Sequence, residues 1–203
     1  MPDRKAKLER KSKETQISLS LNIDGKGKAR IKTNIGILDH MLELFTFHGF
    51  FDLDLNVKKS DLKIDIHHTN EDIGIVLGKG FAAALGEKKS GIKRFGDGFA
   101  LMESTLARSV IDICGRSHLK LEIPNEKSIK GEGGYTITHF EHFLESFAKG
   151  IGATINLKIE NPSIDIHTTL ESAFKSLGLA LDNATQIDSR RKGATPSTKG
   201  IID

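Results

Sequence analysis

The sequence predicts an α+β fold built from one unit written twice. Each half holds strands and two helices, the halves are related by a pseudo-twofold, and the helices pack on mostly antiparallel sheets. Three observations predict it. IDIHHTNE (Ile64–Glu71) returns as IDIHTTLE (Ile164–Glu171) at an offset of 100 residues. DHMLELF (Asp39–Phe45) returns as EHFLESF (Glu141–Phe147) at an offset of 102. Hydrophobic periodicity switches between the strand and helix repeats in the same order in both stretches: strands, helix, strands, helix.

The elements follow in order. The first dozen residues are charged and read as a frayed end. QISLSLNID (Gln16–Asp24) alternates polar and apolar residues like a half-buried strand, GKGK is a turn, and ARIKTNI is the returning strand. ILDHMLELFTFHG places Ile37, Leu38, Met41, Leu42, Leu44 and Phe45 at helical spacing, with Gly49 as the stop. FDLDLNV and LKIDI read as strands, and the helix after His67 and His68 runs to Gly86, with Thr69 to Asp72 in the form of an N-terminal cap. Gly91 to Gly98 reads as a loop. FALMEST, ARSVIDIC and SHLKLEI are strands, and KSIKGEGGYT is a loop. ITHFEHFLESFAKG is a helix, ATINLKIE a strand, SIDI a short strand and TTLESAFKSLGLALDNA the last helix. This divides the chain into a first half (residues 1–90), a second half (91–188) and a basic tail (189–203) without helical or strand period.

Composition narrows the function classes. The chain has 203 residues, 37% hydrophobic and 28% charged, enough to bury a core. The net charge of +3 favours an anionic ligand such as a phosphate. It is too small to argue for nucleic acid, and with only 6% aromatic residues and no RNA-binding motif an RNA-binding module is disfavoured. The single cysteine, Cys114, excludes a disulfide within the chain, reads as a small core residue, and fits a reducing, cytoplasmic setting. No apolar run approaches the roughly 20 residues that span a bilayer. The charged N-terminus lacks the apolar core of a signal peptide. No membrane partner is expected.

The repeated phrases carry the chemistry. His67 and Glu71 are four apart, as are His167 and Glu171, so at a helix start each pair shares one face and can chelate a divalent cation. His67 and His68 are adjacent and point in different directions. His40 and His142, on the preceding helices, can complete the shells. Imidazole and carboxylate without thiolate suit Mn, Fe, Ni or Zn. A single H-x-x-x-E is usually a surface or capping arrangement; its duplication beside a duplicated acid-His motif favours metal. His48 reads as a helix-end residue, His118 as a strand-surface residue, and His139 stands one turn before His142. A second constellation is basic: Arg94, Arg116, Lys175, Ser197 and Lys199 have the forks, point charges and hydroxyl that suit a phosphate, although each alone reads as a solvated surface group. PSTKG lacks the glycine spacing of a P-loop. On ligand types alone, a dinuclear metallohydrolase is an alternative.

LDHMLELFTFHG, DIHHTNEDIGIVLG, ALMESTLARSVIDICGR, HFLESF, HTTLESAFKSLGLAL and PSTKG, in that order, closely resemble the imidazoleglycerol-phosphate dehydratase family from about Glu14 to the C-terminus. The resemblance implies a carbon-oxygen lyase of histidine biosynthesis that turns imidazole glycerol phosphate into imidazole acetol phosphate. It implies two manganese ions per active site and a homo-oligomer of 24 subunits with active sites at the interfaces. It implies one metal site from His40, His67 and Glu71 with a residue at position 168, and another from His68, His142, His167 and Glu171. Arg94, Arg116, Lys175, Ser197 and Lys199 match positions that hold the substrate phosphate, so the tail would close on it. Glu14 matches an acidic residue near the substrate, and Glu14, Glu71, Glu171, His67 and His167 stand at catalytic positions. A planar imidazole ring between two cations accounts for a ligand set written twice. The chain departs from the family pattern at several places: Thr168 stands where a second histidine is usual, Met102-Glu103-Ser104 stands for Met-Asp-Glu, and the loop before Arg94 and the stretch around Asn161 and Pro162 are also unlike the usual pattern. Thr168 and Ser104 motivate a second reading, a catalytically weak paralogue with a metal-binding or structural role.

Overall fold

The computed structural model describes residues 4–86 and 91–202, so the half boundary read at residue 90 lies outside the described residues. In the first half, strands β1 (Lys5–Lys11), β2 (Gln16–Asn22), β3 (Ala29–Lys32) and β4 (Asp52–Lys59) form a sheet of order β1-β2-β4-β3. In the second, β5 (Phe95–Met102), β6 (Thr105–Asp112), β7 (His118–Glu122) and β8 (Thr154–Glu160) repeat that order as β5-β6-β8-β7. In each sheet the first two pairings are antiparallel and the last is parallel. The helices are α1 (Gly36–His48), α2 (His67–Leu85), α3 (Ile137–Ile151) and α4 (Ile166–Thr185).

Alternation explains the sheet faces. Ile17, Leu19 and Leu21 on β2 point inward with Leu53, Leu55 and Val57 on β4, as Ile155, Leu157 and Ile159 do on β8. Each sheet carries its own helices: α2 packs on β1 and β2, α4 on β5 and β6, α1 on β3 and α3 on β7. The two helical layers then meet crosswise, α2 against α3 and α1 against α4, and one continuous apolar cluster runs through both halves. Glycines permit the closest of these crossings. A Cβ at position 78 on α2 would stand 2.4 Å from the Phe147 carbonyl oxygen of α3, and one at 178 on α4 would stand 2.6 Å from that of Phe45 on α1. The duplication is therefore also a duplication of helix contacts.

Several local expectations are corrected. The N-terminal dozen residues are not frayed: β1 pairs with β2 from Lys5 to Lys11. As an edge strand it buries little beyond Ala6, so its charged sequence hid it. The ARIK strand does not return beside β2; it crosses to the far edge and runs parallel to β4. LKIDI is a turn rather than a strand: Ile64 is exposed, and the Asp61 N–H donates to Thr69 Oγ1 at 3.0 Å instead of to a neighbouring strand. SIDI makes one isolated bridge, Lys130 to Asp165. The loop read over Gly91–Gly98 already contains the start of β5, with Gly96 and Gly98 pressed against the α4 backbone. Thr69 is not a cap; α2 begins two residues earlier, at His67.

Candidate metal centre

The repeated phrase has a structural role before it has a chemical one. Asp65 and Asp165 accept hydrogen bonds from the His67 and His167 N–H groups, at 3.3 and 3.1 Å, and so fix the first turns of α2 and α4. Helical spacing then sets each carboxylate one turn along the same face. His67 Nε2 lies 3.7 Å from Glu71 Oε2, and His167 Nε2 lies 3.4 Å from Glu171 Oε1.

The facing helices bring the third member. Because α1 packs on α4, His40 Nε2 comes within 3.2 Å of Glu171 Oε1 and its ring stacks on His167 at 5.1 Å. Because α3 packs on α2, His142 Nδ1 comes within 2.9 Å of His67 Nδ1, so one of these rings carries its proton there and the other accepts. Within one chain the groups are therefore His40–His167–Glu171 and His142–His67–Glu71. The resemblance had grouped His40 with His67 and Glu71, and His142 with His68, His167 and Glu171. The crosswise helix packing is the reason one chain does not make those sets.

The nearest donor atoms of His40, His167 and Glu171 all lie within 4.8 Å of one another, as do those of Glu14, Asp61 and His68. The second group is held differently. Ser12 Oγ accepts the N–H groups of Glu14 and Thr15 and shapes the β1–β2 turn that presents Glu14. His68 turns away from its neighbour, and its Nδ1 lies 3.1 Å from Asp61 Oδ2 and 3.9 Å from Glu14 Oε2. The hydrogen bond to Asp61 and the charge of Glu14 raise the His68 imidazole above its ordinary value. Burial alone would push the Glu171 carboxyl up. The hydrogen bonds from Lys175 Nζ (2.7 Å) and His40 outweigh it and hold the group below its usual range.

The basic residues do not gather as one open cluster. Arg94 forks onto Asp112 at 2.6 and 3.0 Å, and its Nη1 donates to the Pro196 carbonyl at 3.0 Å, which ties the PSTKG stretch beside it. Lys175 is drawn into the Glu171 group. Arg116 and Lys199 are exposed, and Ser197 Oγ accepts the Lys199 N–H at 3.2 Å. His139 caps α3: its Nδ1 accepts the Thr136 N–H at 3.1 Å, and burial lowers its imidazole below the ordinary value. His48 ends α1, Cys114 is buried, and His118 is exposed on β7, as read. Asp61 is the site residue that sequence reasoning missed. It lies just before the LKIDI segment taken for a strand, with no pattern linking it to His68. Asp65 and Asp165 lie inside the repeated phrase, but their hydrogen bonds to the first turns of α2 and α4 were not read from it.

Comparison with known proteins adds an independent line. The family model described as imidazoleglycerol-phosphate dehydratase matches residues 33–181. A protein of that name from Thermoanaerobacter sp. (strain X514) is 48% identical over 201 residues, covering 98% of this chain and all of its own length. Its namesake from Pseudomonas fluorescens (strain SBW25) is 42% identical over 203 residues, with both chains fully covered. Among solved structures, the dehydratase from Pyrococcus furiosus aligns with a TM-score of 0.79 at 33% identity, covering 96% of this chain and 100% of that one. The one from Staphylococcus aureus aligns with a TM-score of 0.76 at 28% identity, covering 91% and 99%.

Proposed function

The chain belongs to the imidazoleglycerol-phosphate dehydratase family of hydro-lyases, and on that premise we propose that it removes water from imidazole glycerol phosphate to give imidazole acetol phosphate, in histidine biosynthesis, with manganese as its cofactor. One observation carries the metal half of this reading: two helix starts of the form H-x-x-x-E are each faced by a histidine from the other half of the chain. Two imidazoles and a carboxylate, without thiolate, are a donor set that fits manganese. His40, His167 and Glu171, whose donor atoms converge, would hold one ion. His67, His68, His142 and Glu71 would supply the other; His67 meets His142 and Glu71 through opposite ring nitrogens, so within one chain only one of them could share an ion with it. Bound manganese supplies Lewis acidity that draws charge off an imidazole ring.

The chain's own groups handle the protons and the phosphate. Dehydration breaks a C–H and a neighbouring C–O bond, releases water and leaves an enol, which becomes the ketone when a proton returns to carbon. Glu14, exposed in the β1–β2 turn 3.9 Å from His68, is placed to take the carbon-bound proton and pass one to the departing hydroxyl. Arg116, Ser197 and Lys199 take the phosphate as the tail closes, with Arg94 holding the tail through Pro196 and Lys175 reaching from the Glu171 group. The homo-oligomer has 24 copies, in which residues of neighbouring chains complete each site. No helix of the described residues is long and apolar enough to cross a membrane, in keeping with a cytoplasmic enzyme.

The test is chelation followed by stepwise return of manganese, with the keto product as readout. Turnover that rises with manganese supports the reading. A folded, assembled protein with no turnover at saturating manganese overturns it in favour of a metal-binding or structural paralogue, which Thr168 and Ser104 favour. Release of inorganic phosphate instead would mark a metallohydrolase.

A further inference from the structure

The pseudo-twofold maps each donor of the Glu14–Asp61–His68 group onto a position in the second half. His68 maps to Thr168, one residue after the matched His67 and His167. Glu14 maps to Ser104: each precedes a buried threonine, Thr15 or Thr105, and two residues further on Ile17 faces Val57 of β4 as Ala107 faces Ile159 of β8. Asp61 lies in a turn that is two residues shorter in the second half. Its counterpart is Ser163 when reckoned forward from the strand and Asn161 when reckoned back from the helix. Either way the carboxylate is gone. Three donors from three separate stretches of chain have thus been exchanged for neutral hydroxyl or amide oxygens. The neighbouring His40–His167–Glu171 group keeps its full complement, so the exchange is confined to one end and is not a general loss of ligands. Thr168 Oγ1 has a local use, donating to Asp165 Oδ2 at 3.3 Å at the start of α4.

We infer that the chain holds its two manganese ions unequally: the ion that draws on the Glu14–Asp61–His68 end is tight, and the ion that draws on the Ser104–Thr168 end is weak. This rests on the manganese reading above. A neutral hydroxyl is a poorer donor to manganese than an imidazole nitrogen, and losing a carboxylate removes the charge that offsets the cation. Loss of even an outer partner of a metal ligand lowers affinity about 10- to 100-fold, so a gap of at least about tenfold between the two ions is expected.

The experiment is a manganese titration of the chelator-stripped, full-length assembly without substrate, read by loss of the free-ion EPR signal. Two classes of site per chain, separated by at least about tenfold, support the inference. Thr168→His combined with Ser104→Glu should narrow the gap by strengthening the weak class. His68→Thr should close it from the other side by weakening the strong class. Both serine and threonine sites are outside the core, and His68 is exposed, so these variants keep the fold. A single class of two equal sites per chain in the native protein, or a gap that Thr168→His with Ser104→Glu leaves unchanged, overturns the inference while leaving the manganese reading in place. No bound manganese at all overturns both.

Discussion

The two His–His–Glu groups are spelled alike and wired differently. In the α1–α4 group Glu171 is 12% exposed and paired with His40, His167 and Lys175. In the α2–α3 group Glu71 is 46% exposed, and Ile75 stands where the second half has Lys175. One carboxylate is therefore partly desolvated and charge-balanced, and the other is open to water. Duplication copied the helix starts and their caps, which depend on local letters, while the surroundings of each group diverged. The buried member acts in a lower dielectric, where a fixed charge has more effect.

The largest effect that tests this difference is the loss of each carboxylate in turn. Glu171→Gln should lower kcat/KM by about 10²-fold or more, the scale on which a preorganised charged group acts. It also leaves Lys175 without its main partner. Glu71→Gln should cost less, because its site keeps water as a substitute partner. Steady-state kinetics at saturating manganese read both. Equal losses would mean that the burial difference has no part in the chemistry.

Next in size is the packing that positions the groups. At Gly78 three backbone atoms of α3 would lie within 3.0 Å of an added Cβ, at 2.4, 2.8 and 2.9 Å; at Gly178 only one neighbour would, at 2.6 Å. Overpacking of this kind costs about 1–3 kcal/mol. Gly78→Ala should therefore lower Tm more than Gly178→Ala, and it should separate His142 from His67, while Gly178→Ala should act on His40 and Glu171. Thermal denaturation of the two variants side by side decides the order. The reverse order would show that α1 and α4 make the tighter contact.

Much of this was legible in the sequence, and the remainder has a common cause. The four helices, their repeated His and Glu positions and the α+β duplication follow from patterns a few residues long. What escaped depends on residues far apart. Nothing local in His40 says that it faces α4 rather than α2, because the crossing is set by glycines such as Gly78 and Gly178 that look like helix-weakening residues in the sequence. The charged stretch Lys5–Lys11 is a strand only because β2 offers it an edge. Asp61 joins His68 only because its turn folds back on Thr69.

The smallest effect concerns a polar contact that one helix pair has and its mate lacks. Between α2 and α3, the Tyr135 hydroxyl donates to Asn70 Oδ1 at 3.0 Å, and Asn70 Nδ2 donates to the His139 carbonyl at 2.7 Å. All of Tyr135 is out of water, which pushes its hydroxyl far above the ordinary value and keeps it a donor. The counterpart of Asn70 is Leu170, fully buried on α4. Tyr135→Phe strands the Asn70 oxygen in the core, which should cost about 1–3 kcal/mol, whereas removing both polar partners can be nearly neutral. Asn70→Leu with Tyr135→Phe should therefore recover most of the stability lost by Tyr135→Phe alone, as chemical denaturation would read it. The double variant makes the α2–α3 contact apolar, as position 170 is in α1–α4. Recovery would mean that the polar link fixes the register of His142 against His67 without adding net stability. A double variant less stable than Tyr135→Phe would mean instead that the Asn70 bond to the His139 carbonyl stabilises the α3 start on its own account, a support that α1 finds elsewhere, in Asp39 Oδ1 accepting the Thr33 N–H at 2.7 Å.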